Sequence, residues 1–335
     1  MRARFITFRK PHEIDIEEVE LPEPNPNQIL IKTNVTLISA GTELTALTGA
    51  FPSGSAWSRY VKYPFRPGYS NVGVVVKTGS SVRGSKEGDR VATMAPHSDY
   101  AIVDAENAMK IPEGISDEEA TFHTLASGVM NSVRLARISL GESVVVIGVG
   151  LLGQLAVQFC RLSGAYPVIA VDLSAKRLGL AEISGATTTI QPQEEDVFKK
   201  VSSLTKGRMA DVVFEVTGNP DVIPWAIRLL RRQGRLIILS SPRGPTKLDF
   251  HDEVNAPSRM IIGTHFSSQP VYETPHYPWT RLRNTELFFD LLSAGLLKVR
   301  HLITHIIPWH KAREAYELLM RSKDEALGVL LDFRH

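Results

Sequence analysis

The sequence predicts an α/β protein of two domains: a compact antiparallel β-barrel or sandwich, and a doubly wound parallel sheet with helices on both faces. Two patterns predict this class. Residues 1–122 hold short strand-like runs broken by Pro and Gly, whereas residues 143–262 alternate between apolar strand-like runs and helical segments. A chain of 335 residues also exceeds what one hydrophobic core usually supports, which favours two domains.

The first region consists of closely spaced strand-like runs separated by turn residues, which is typical of a small barrel. The runs are Arg4–Phe8, Gln28–Val35, Ser70–Lys77, Asp89–Thr93, Asp99–Val103 and Lys110–Pro112. From Asp117 the pattern changes. Residues 120–136 place small and apolar side chains at helical spacing, and this helix leads into the parallel sheet.

The second region is organised around residues 143–153, S-V-V-V-I-G-V-G-L-L-G. Its apolar, β-branched run is typical of a strand buried on both faces of a parallel sheet. Gly148, Gly150 and Gly153 then allow a sharp turn, a close approach of backbone to a pyrophosphate, and tight packing of the next helix. Because these glycines lie between a strand and a helix, they predict a dinucleotide-binding site.

Asp172 follows the next apolar strand, about 20 residues after the glycines, where a carboxylate accepts hydrogen bonds from the adenosine ribose. A carboxylate there repels the 2′-phosphate of NADP, so NAD is the predicted cofactor. Lys176 and Arg177 weaken this preference, because either side chain could neutralise a phosphate. Arg177 lies either along the adenine ribose or in solvent.

The alternation of strands and helices continues to residue 262. Helices are predicted at 176–183, 196–204 and 220–230, and strands at 167–171, 188–190, 211–216, 235–239 and 260–262. Beyond about residue 266, the predicted helices at 285–294 and 311–321 and the strand at 328–332 do not extend this sheet. We therefore expect the chain to return to the first domain.

The composition excludes several classes of function. The 38 Lys and Arg nearly balance the 36 Asp and Glu without a block of like charge, so no nucleic-acid partner is expected. No apolar run approaches membrane-spanning length, and the first residues lack the apolar core of a secretion signal. The single cysteine, Cys160, cannot form an intrachain disulfide. We expect a cytoplasmic protein that does not contact membranes.

Several segments, in this order, resemble the medium-chain dehydrogenase/reductase family of the alcohol dehydrogenase superfamily. They are I-S-A-G-T-E-L-T-A-L-T-G (38–49), P-G-Y-S-N-V-G-V-V (67–75), E-G-D-R-V-A (87–92), the glycine loop, F-E-V-T-G (214–218) and L-I-T-H-I-I-P-W (302–309). The resemblance implies a GroES-like catalytic domain at residues 1–122 and 266–335, and a Rossmann NAD-binding domain at 123–265. It also implies a homodimer or homotetramer, because relatives pair through the edge strand that corresponds to 260–262.

The sequence departs from the zinc-dependent members of this family at their metal site. Those members carry Cys-Gly-Thr-Asp where this chain has Ala40-Gly41-Thr42-Glu43, and Gly-His-Glu where it has Gly68-Tyr69-Ser70. His123 stands where the third ligand is expected, but a catalytic zinc needs three protein ligands. A single cysteine also rules out the four-cysteine structural zinc lobe of many relatives. We therefore predict a zinc-independent member with no metal.

Loss of zinc removes a Lewis acid, so protein side chains must assist proton transfer instead. Tyr69 and His123 stand in the former metal site, with Thr42 and Glu43 nearby, and all four can handle protons. We predict that Tyr69, alone or with His123, donates a hydrogen bond to the reacting oxygen and passes its proton through Thr42. The structural alternatives are a phenol bonded to barrel backbone and a polar residue at a helix start.

Further cofactor contacts are implied by position in the family. The glycine loop presents the backbone of Leu151 and Leu152 to the pyrophosphate. The ends of later strands and the helix before the loop contribute Thr217, Gly218, Ser240, Ser241 and Ser127. Each of these residues is otherwise an ordinary loop or helix-cap residue.

The segment 263–284 is rich in His, aromatic and Arg residues, and in relatives this region borders the substrate cleft. A polar small-molecule substrate such as a sugar, polyol or sugar acid suits His265, His276, Trp279, Arg281 and Arg283. The alternative is a surface or subunit interface, where such residues are also enriched. The 38–49 and 67–75 variants also resemble the zinc-lacking subgroup that includes bacteriochlorophyllide hydroxyethyl dehydrogenase, which leaves an extended hydroxyethyl-bearing substrate open.

Three functions remain open from the sequence. The first is an NAD-dependent, zinc-independent dehydrogenase that acts on a secondary alcohol or ketone. The second is an NADPH-dependent quinone or enoyl reductase, against which Asp172 argues. The third is a non-catalytic nucleotide-binding protein, which the set of proton-handling residues disfavours.

Overall fold

A computed structural model describes residues 1–322 and 324–334. The chain forms two compact units, one of Met1–Leu125 with Leu282–His335 and one of Ala126–Arg281. The expected boundaries after residues 122 and 265 differ from these by 3 and 16 positions. The larger difference arises because the segment after residue 265 bonds to a helix of the second unit. The hydroxyl of Tyr277 donates to Asn131 Oδ1 over 2.6 Å, and Asn131 Nδ2 donates to Ser268 Oγ over 3.0 Å.

The strands, in chain order, are β1 (Arg2–Lys10), β2 (Glu13–Glu20), β3 (Gln28–Leu37), β4 (Asn71–Thr78), β5 (Arg90–Thr93), β6 (Tyr100–Asp104), β7 (Met109–Lys110), β8 (Val144–Ile147), β9 (Val168–Val171), β10 (Thr188–Ile190), β11 (Ala210–Glu215), β12 (Leu230–Ile238), β13 (Met260–Gly263), β14 (Ile303–Pro308) and β15 (Gly328–Asp332). The α-helices are α1 (Ala40–Thr48), α2 (Ala56–Tyr60), α3 (Asp117–Ala120), α4 (His123–Ala136), α5 (Leu151–Leu162), α6 (Ala175–Ile183), α7 (Val197–Leu204), α8 (Ile223–Ala226), α9 (Arg281–Ser293) and α10 (Ala312–Arg321).

The first unit is built on a seven-stranded sheet in the order β14-β15-β3-β4-β5-β7, with β6 paired to β3. The strand-like runs of the first region are confirmed with shifted ends, because each falls within or overlaps an observed strand. The sequence prediction missed β2, which pairs antiparallel with β1, and the helices α1 and α2. The expected continuous helix over 120–136 is instead the short α3 followed by α4.

The carboxyl-terminal strands pair with the sheet of the first unit. β15 pairs antiparallel with β3 and parallel with β14. Helix α10 then packs its buried face, which includes Tyr316, into the same core as Phe8 of β1 and Leu47 of α1. The Phe8 and Tyr316 rings meet edge to face with centroids 5.2 Å apart. The elements α10 and β15 therefore complete the core of the first unit.

The second unit is a six-stranded sheet in the order β10-β9-β8-β11-β12-β13, and each neighbouring pair is parallel. All four residues of β8 are buried, as the apolar run predicted. The prediction of one continuous helix over 220–230 was wrong. This segment is divided into 3₁₀ turns on either side of the short α8, where Pro224 cannot donate a helical hydrogen bond.

Among the described residues, none of the helices combines the length and the apolar character that crossing a membrane requires.

Candidate active site

The three glycines of the loop in the second unit differ in their surroundings: two are closely packed and one faces open space. Gly148 has φ +87°, and a Cβ on it would lie 2.9 Å from Thr217 Cγ2. A Cβ on Gly153 would lie 2.1 Å from the carbonyl oxygen of Gly148. A Cβ on Gly150 would meet no atom closer than Arg177 Nη1, 4.0 Å away. Packing therefore requires the outer two glycines, whereas the middle one leaves open space.

This open space lies at the start of α5. Gly150 is the residue that caps the helix, and it provides no side-chain cap. The first backbone N–H groups of any helix, here including those of Leu151 and Leu152, have no partner within the helix. Uncapped N–H groups and the helix dipole together form an anion site. The loop therefore fits a pyrophosphate.

Asp172 follows β9 and reaches back to this loop. Its Oδ2 accepts a hydrogen bond from the backbone N–H of Val149 over 2.8 Å, and its Oδ1 accepts from Ser174 N over 2.9 Å. A carboxylate can accept about four hydrogen bonds, so both oxygens keep capacity for a ribose diol. Ser174 in turn caps α6, the helix that carries Arg177. The arrangement suits an adenosine ribose beside the glycine loop.

The ends of β11 and β12 place four more predicted residues at the same edge of the sheet. Glu215 is the last residue of β11 and pairs in register with Ile147, which immediately precedes Gly148. The predicted contacts Thr217, Gly218, Ser240 and Ser241 follow these two strands. Glu215 was missed by sequence reasoning, although an acidic residue at the end of an apolar strand is a signal that could have identified it.

Ser127 lies within α4 and is fully buried. The adjacent Gly128 packs against Phe266, whose Cδ2 would be 3.0 Å from an added Cβ. The structure thus places Ser127 in the helix interior, where any role toward a cofactor requires movement of its neighbours.

In the first unit, Tyr69 is half-buried and its hydroxyl donates a hydrogen bond to Ser39 Oγ over 2.5 Å. Ser39 precedes α1, and its backbone N–H donates to Glu43 Oε1 over 2.8 Å. Burial raises the pKa of the Tyr69 phenol well above its ordinary value, and the charge of Glu43 adds to this shift. Hydrogen bonds with Ser39 and Thr42 partly oppose it. The phenol therefore stays protonated at neutral pH and acts as a donor.

Glu43 is almost fully buried and forms the centre of a polar cluster that sequence reasoning did not find. Its Oε2 lies 2.9 Å from His97 Nε2 and accepts a hydrogen bond from the Tyr316 hydroxyl over 2.5 Å. The other ring nitrogen of His97 lies 2.7 Å from Thr36 Oγ1. A carboxylate needs such donors when it is buried. Glu43 therefore acts on Tyr69 through its charge and through Ser39.

His123 begins α4 and is also buried. Its Nε2 lies 3.2 Å from the carbonyl oxygen of Thr93. The neighbouring Thr124 donates through Oγ1 to the backbone carbonyl of Tyr69 over 2.7 Å. The helix start that carries His123 is thereby attached to the segment that carries Tyr69.

The donor set of this site does not fit a catalytic zinc ion. Ala40, the first residue of α1, offers no ligand atom, and Tyr69 is engaged with Ser39. Across residues 1–322 and 324–334, no group of three or more His, Cys, Asp or Glu side chains could hold a metal ion. Three protein ligands are the minimum for a catalytic zinc.

The predicted substrate residues are distributed over two elements. His265 and His276 are exposed in the segment after β13, where His265 Nδ1 lies 2.7 Å from Ser267 Oγ. Trp279 is half-buried, and the guanidinium of Arg134 covers one of its faces at 3.2 Å from the ring centroid. Arg281 and Arg283 lie in the first turn of α9, and burial lowers the pKa of Arg281. The structure shows one face of Trp279 already covered by a cation.

Fold and site together define a class: proteins that combine a GroES-like domain with a Rossmann domain. Residues 25–133 match the family model of the alcohol dehydrogenase GroES-like domain, and residues 152–279 match that of the zinc-binding dehydrogenases. The chain is 30% identical to D-guloside 3-dehydrogenase of Shigella flexneri, over 87% of this chain and 88% of that protein. It is 29% identical to L-threonine 3-dehydrogenase of Pyrococcus furiosus, over 95% of each chain.

Solved structures show the same fold. An oxidoreductase of unknown specificity from Escherichia coli superposes with a TM-score of 0.84 at 22% identity, over 99% of each chain. Two other solved structures contain a bound cofactor. A dehydrogenase from Sinorhizobium meliloti, bound to NADP, has a TM-score of 0.81 at 22% identity. An alcohol dehydrogenase from Escherichia coli, complexed with NADH, has a TM-score of 0.82 at 22% identity. Each alignment covers 99% of this chain and 99% of the solved chain.

This chain belongs to the medium-chain dehydrogenase/reductase family of the alcohol dehydrogenase superfamily.

Proposed function

We propose that this protein is a zinc-independent dehydrogenase that transfers a hydride between NAD and a secondary alcohol or ketone of a polar substrate. The single observation that carries the proposal is the pair Tyr69 and Ala40. A protonated phenol and a methyl group occupy positions where zinc-dependent relatives have metal ligands. The family membership supports redox chemistry at a CH–OH group, because the named relatives are dehydrogenases.

The choice of NAD rests on Asp172. Its carboxylate is fixed beside the glycine loop by the backbone N–H groups of Val149 and Ser174. A second negative charge, such as the 2′-phosphate of NADP, is unfavourable within hydrogen-bonding distance of this carboxylate. Solved relatives include one bound to NADP and one complexed with NADH, so the fold alone does not select the cofactor. Arg177, near Gly150, is the residue that could favour the phosphate instead.

The bound nicotinamide supplies or accepts the hydride, and the chain must control the proton. Because burial and the charge of Glu43 raise the pKa of Tyr69, its phenol is protonated at neutral pH and has a proton to donate. In the direction of carbonyl reduction, the phenol turns its O–H from Ser39 Oγ to the carbonyl oxygen and transfers its proton there as negative charge develops. Ser39 and Thr42 stabilise the resulting phenolate by donating hydrogen bonds to it. A proton from solvent, passed through Thr42, then restores the phenol. Such assistance contributes roughly 10² to 10⁴ in rate.

The substrate class is polar and hydroxylated. The relatives named for D-guloside and L-threonine support a substrate with several polar groups. The exposed His265 and His276, together with the half-buried Trp279, are the chain's candidates for contacting it. Screening sugars, polyols, sugar acids and hydroxy amino acids with NAD tests this part of the proposal.

We also propose that two copies of the chain associate through β13. This strand lies at the edge of the six-stranded sheet, and Met260 and Ile261 on it are 46% and 39% exposed. An unpaired strand edge with apolar side chains favours pairing with another strand. Light scattering should give twice the monomer mass, and Ile261→Lys should return the monomer.

The experiment that tests the function measures the reduced nicotinamide band for each substrate with NAD and then with NADP. The proposal expects turnover with NAD and a much lower kcat/KM with NADP. A preference for NADP would favour the NADPH-dependent reductase instead. Binding of NAD without turnover on any substrate would favour the non-catalytic protein.

A further inference from the structure

The end of β11 carries a carboxylate that the proposed chemistry does not use. Glu215 is fully buried in the second unit. Its Oε1 accepts hydrogen bonds from the backbone N–H and the hydroxyl of Thr217, and the N–H···O distance is 2.7 Å. Its Oε2 accepts from the hydroxyl of Ser240. A single buried side chain thus ties the end of β11 to the end of β12.

These contacts fix the direction of two hydroxyl groups. A carboxylate is an acceptor only, and a hydroxyl has one proton to donate. Thr217 and Ser240 therefore direct their protons inward to Glu215. Thr217 Oγ1 also accepts from the backbone N–H of Asn219 over 3.1 Å. Ser240 is half-exposed, so the lone pairs of its Oγ are presented outward.

Glu215 and Thr217 connect Ser240 to the glycine loop. Thr217 Cγ2 would be 2.9 Å from a Cβ on Gly148, so Thr217 packs directly against the turn that begins the loop. A Cβ on Gly218 would lie 4.0 Å from Ser240 Cβ. In sheets of this kind, ligands bind outside the carboxyl ends of the strands. Glu215 thus lies beneath the rim where the dinucleotide is proposed to bind.

We propose that Glu215 is a positioning residue that holds Ser240 Oγ as a hydrogen-bond acceptor for the dinucleotide. The matching group on the ligand must be a donor, either a ribose hydroxyl or the carboxamide NH₂. This inference rests on the proposed use of a nicotinamide dinucleotide and adds a specific polar contact to it.

Glu215→Gln tests the direction of the hydroxyl. Oε1 of the new amide must stay on the Thr217 N–H, because that buried donor requires an acceptor. The amide NH₂ then faces Ser240 and forces the serine proton outward, toward the donor on the ligand. We expect the Kd for NAD to rise about tenfold in Glu215→Gln and in Ser240→Ala, as measured by calorimetry. In the double variant the Kd for NAD should also rise about tenfold and not about a hundredfold, because both changes remove the same contact.

Asp211→Asn is the matched control. Asp211 lies near the amino-terminal end of the same strand, where it bonds to Ser143 and to Arg231. This variant should lower the unfolding midpoint and leave the Kd for NAD within twofold of wild type. An equal rise in Kd for Asp211→Asn would show that Glu215 acts only through general stability, and the inference would fail.

The donor on the ligand is identified with 3-acetylpyridine adenine dinucleotide, which lacks the amide NH₂. If the carboxamide is the donor, Ser240→Ala should not weaken binding of this analogue. If a ribose hydroxyl is the donor, Ser240→Ala should weaken binding of the analogue by the same factor as it weakens binding of NAD. If Glu215→Gln does not fold, the test uses Ser240→Ala alone. A Kd of Ser240→Ala within twofold of wild type for both dinucleotides overturns the inference. Failure of the wild-type protein to bind NAD would instead contradict the proposed function.

Discussion

The hydroxyl of Tyr69 donates a hydrogen bond to Ser39 Oγ over 2.5 Å, and the backbone N–H of Ser39 donates to the buried carboxylate of Glu43. A tyrosine and a serine thus form a polar pair at the start of α1, where the zinc-dependent relatives begin their metal site. Burial, with the charge of Glu43 as a second cause, raises the pKa of the phenol and keeps it protonated. The chemistry proposed for this protein depends on that protonated phenol.

Removal of the Tyr69 hydroxyl should therefore abolish most of the turnover. Tyr69→Phe keeps the ring and removes the donor, so we expect kcat to fall by roughly 10² or more. The Kd for NAD should stay within twofold, because the glycine loop and Asp172 belong to the other unit. Tyr63→Phe is the control, since the Tyr63 hydroxyl donates to the backbone carbonyl of Ala46 instead. Equal kcat values in Tyr69→Phe and wild type would remove Tyr69 from the mechanism.

Asp172 should determine the preference for NAD over NADP. Asp172→Asn removes the charge and leaves the side-chain shape, so the ratio of kcat/KM for NAD to that for NADP should fall at least tenfold. Asp196→Asn is a matched control, because Asp196 caps α7 and asparagine caps equally well. If the ratio of kcat/KM for NAD to that for NADP changes equally in both variants, Asp172 does not determine the choice between the two cofactors.

Alanine substitutions at two glycines of the loop should have different effects, one on stability and the other on NAD binding. In Gly153→Ala the new Cβ would lie 2.1 Å from the Gly148 carbonyl oxygen, so we expect a loss of about 1–3 kcal/mol or more in the free energy of unfolding. Gly150→Ala meets open space at an ordinary negative φ, so its only cost is that alanine caps a helix less well than glycine, and its stability should fall by no more than about 1 kcal/mol. Its Kd for NAD should nevertheless rise at least tenfold. Unchanged NAD affinity in Gly150→Ala would place the pyrophosphate elsewhere.

Tyr316 should make stability fall at alkaline pH. Burial raises the pKa of its phenol well above the ordinary value of about 10, and the charge of Glu43 adds to the shift. The folded protein therefore retains a proton that the unfolded chain loses, and the stability from this group is complete below about pH 10 and decreases above it. The slope is about 1.4 kcal/mol per pH unit. Denaturant titrations of wild type and Tyr316→Phe should show a free-energy difference that shrinks from pH 10 to pH 11. A constant difference would contradict the raised pKa.

The parallel sheet was largely predictable because its patterns are local. The apolar run of β8 and the three glycines identify a strand, a turn and a helix without reference to other parts of the chain. The strand β2 escaped prediction because its eight residues are mostly acidic or exposed, and acidic residues are depleted in strands. It forms by pairing along its length with β1.

The polar cluster of the first unit could not be predicted, because its members are distant in sequence. Glu43 and His97 are 54 positions apart, and Glu43 and Tyr316 are 273 apart. Neither contact has a spacing that a sequence pattern can detect. Tyr69 and Glu43 were predicted from their positions in the family motifs, whereas Ser39, His97 and Tyr316 became visible only when the fold brought them together.

The most direct test of the central claim is the metal content of the purified, active enzyme, determined together with its turnover after treatment with a zinc chelator. We expect far less than one zinc ion per chain and unchanged kcat after chelation, because Tyr69 and Ala40 stand at the ligand positions. About one zinc ion per chain, with activity lost on chelation and restored by zinc, would contradict it.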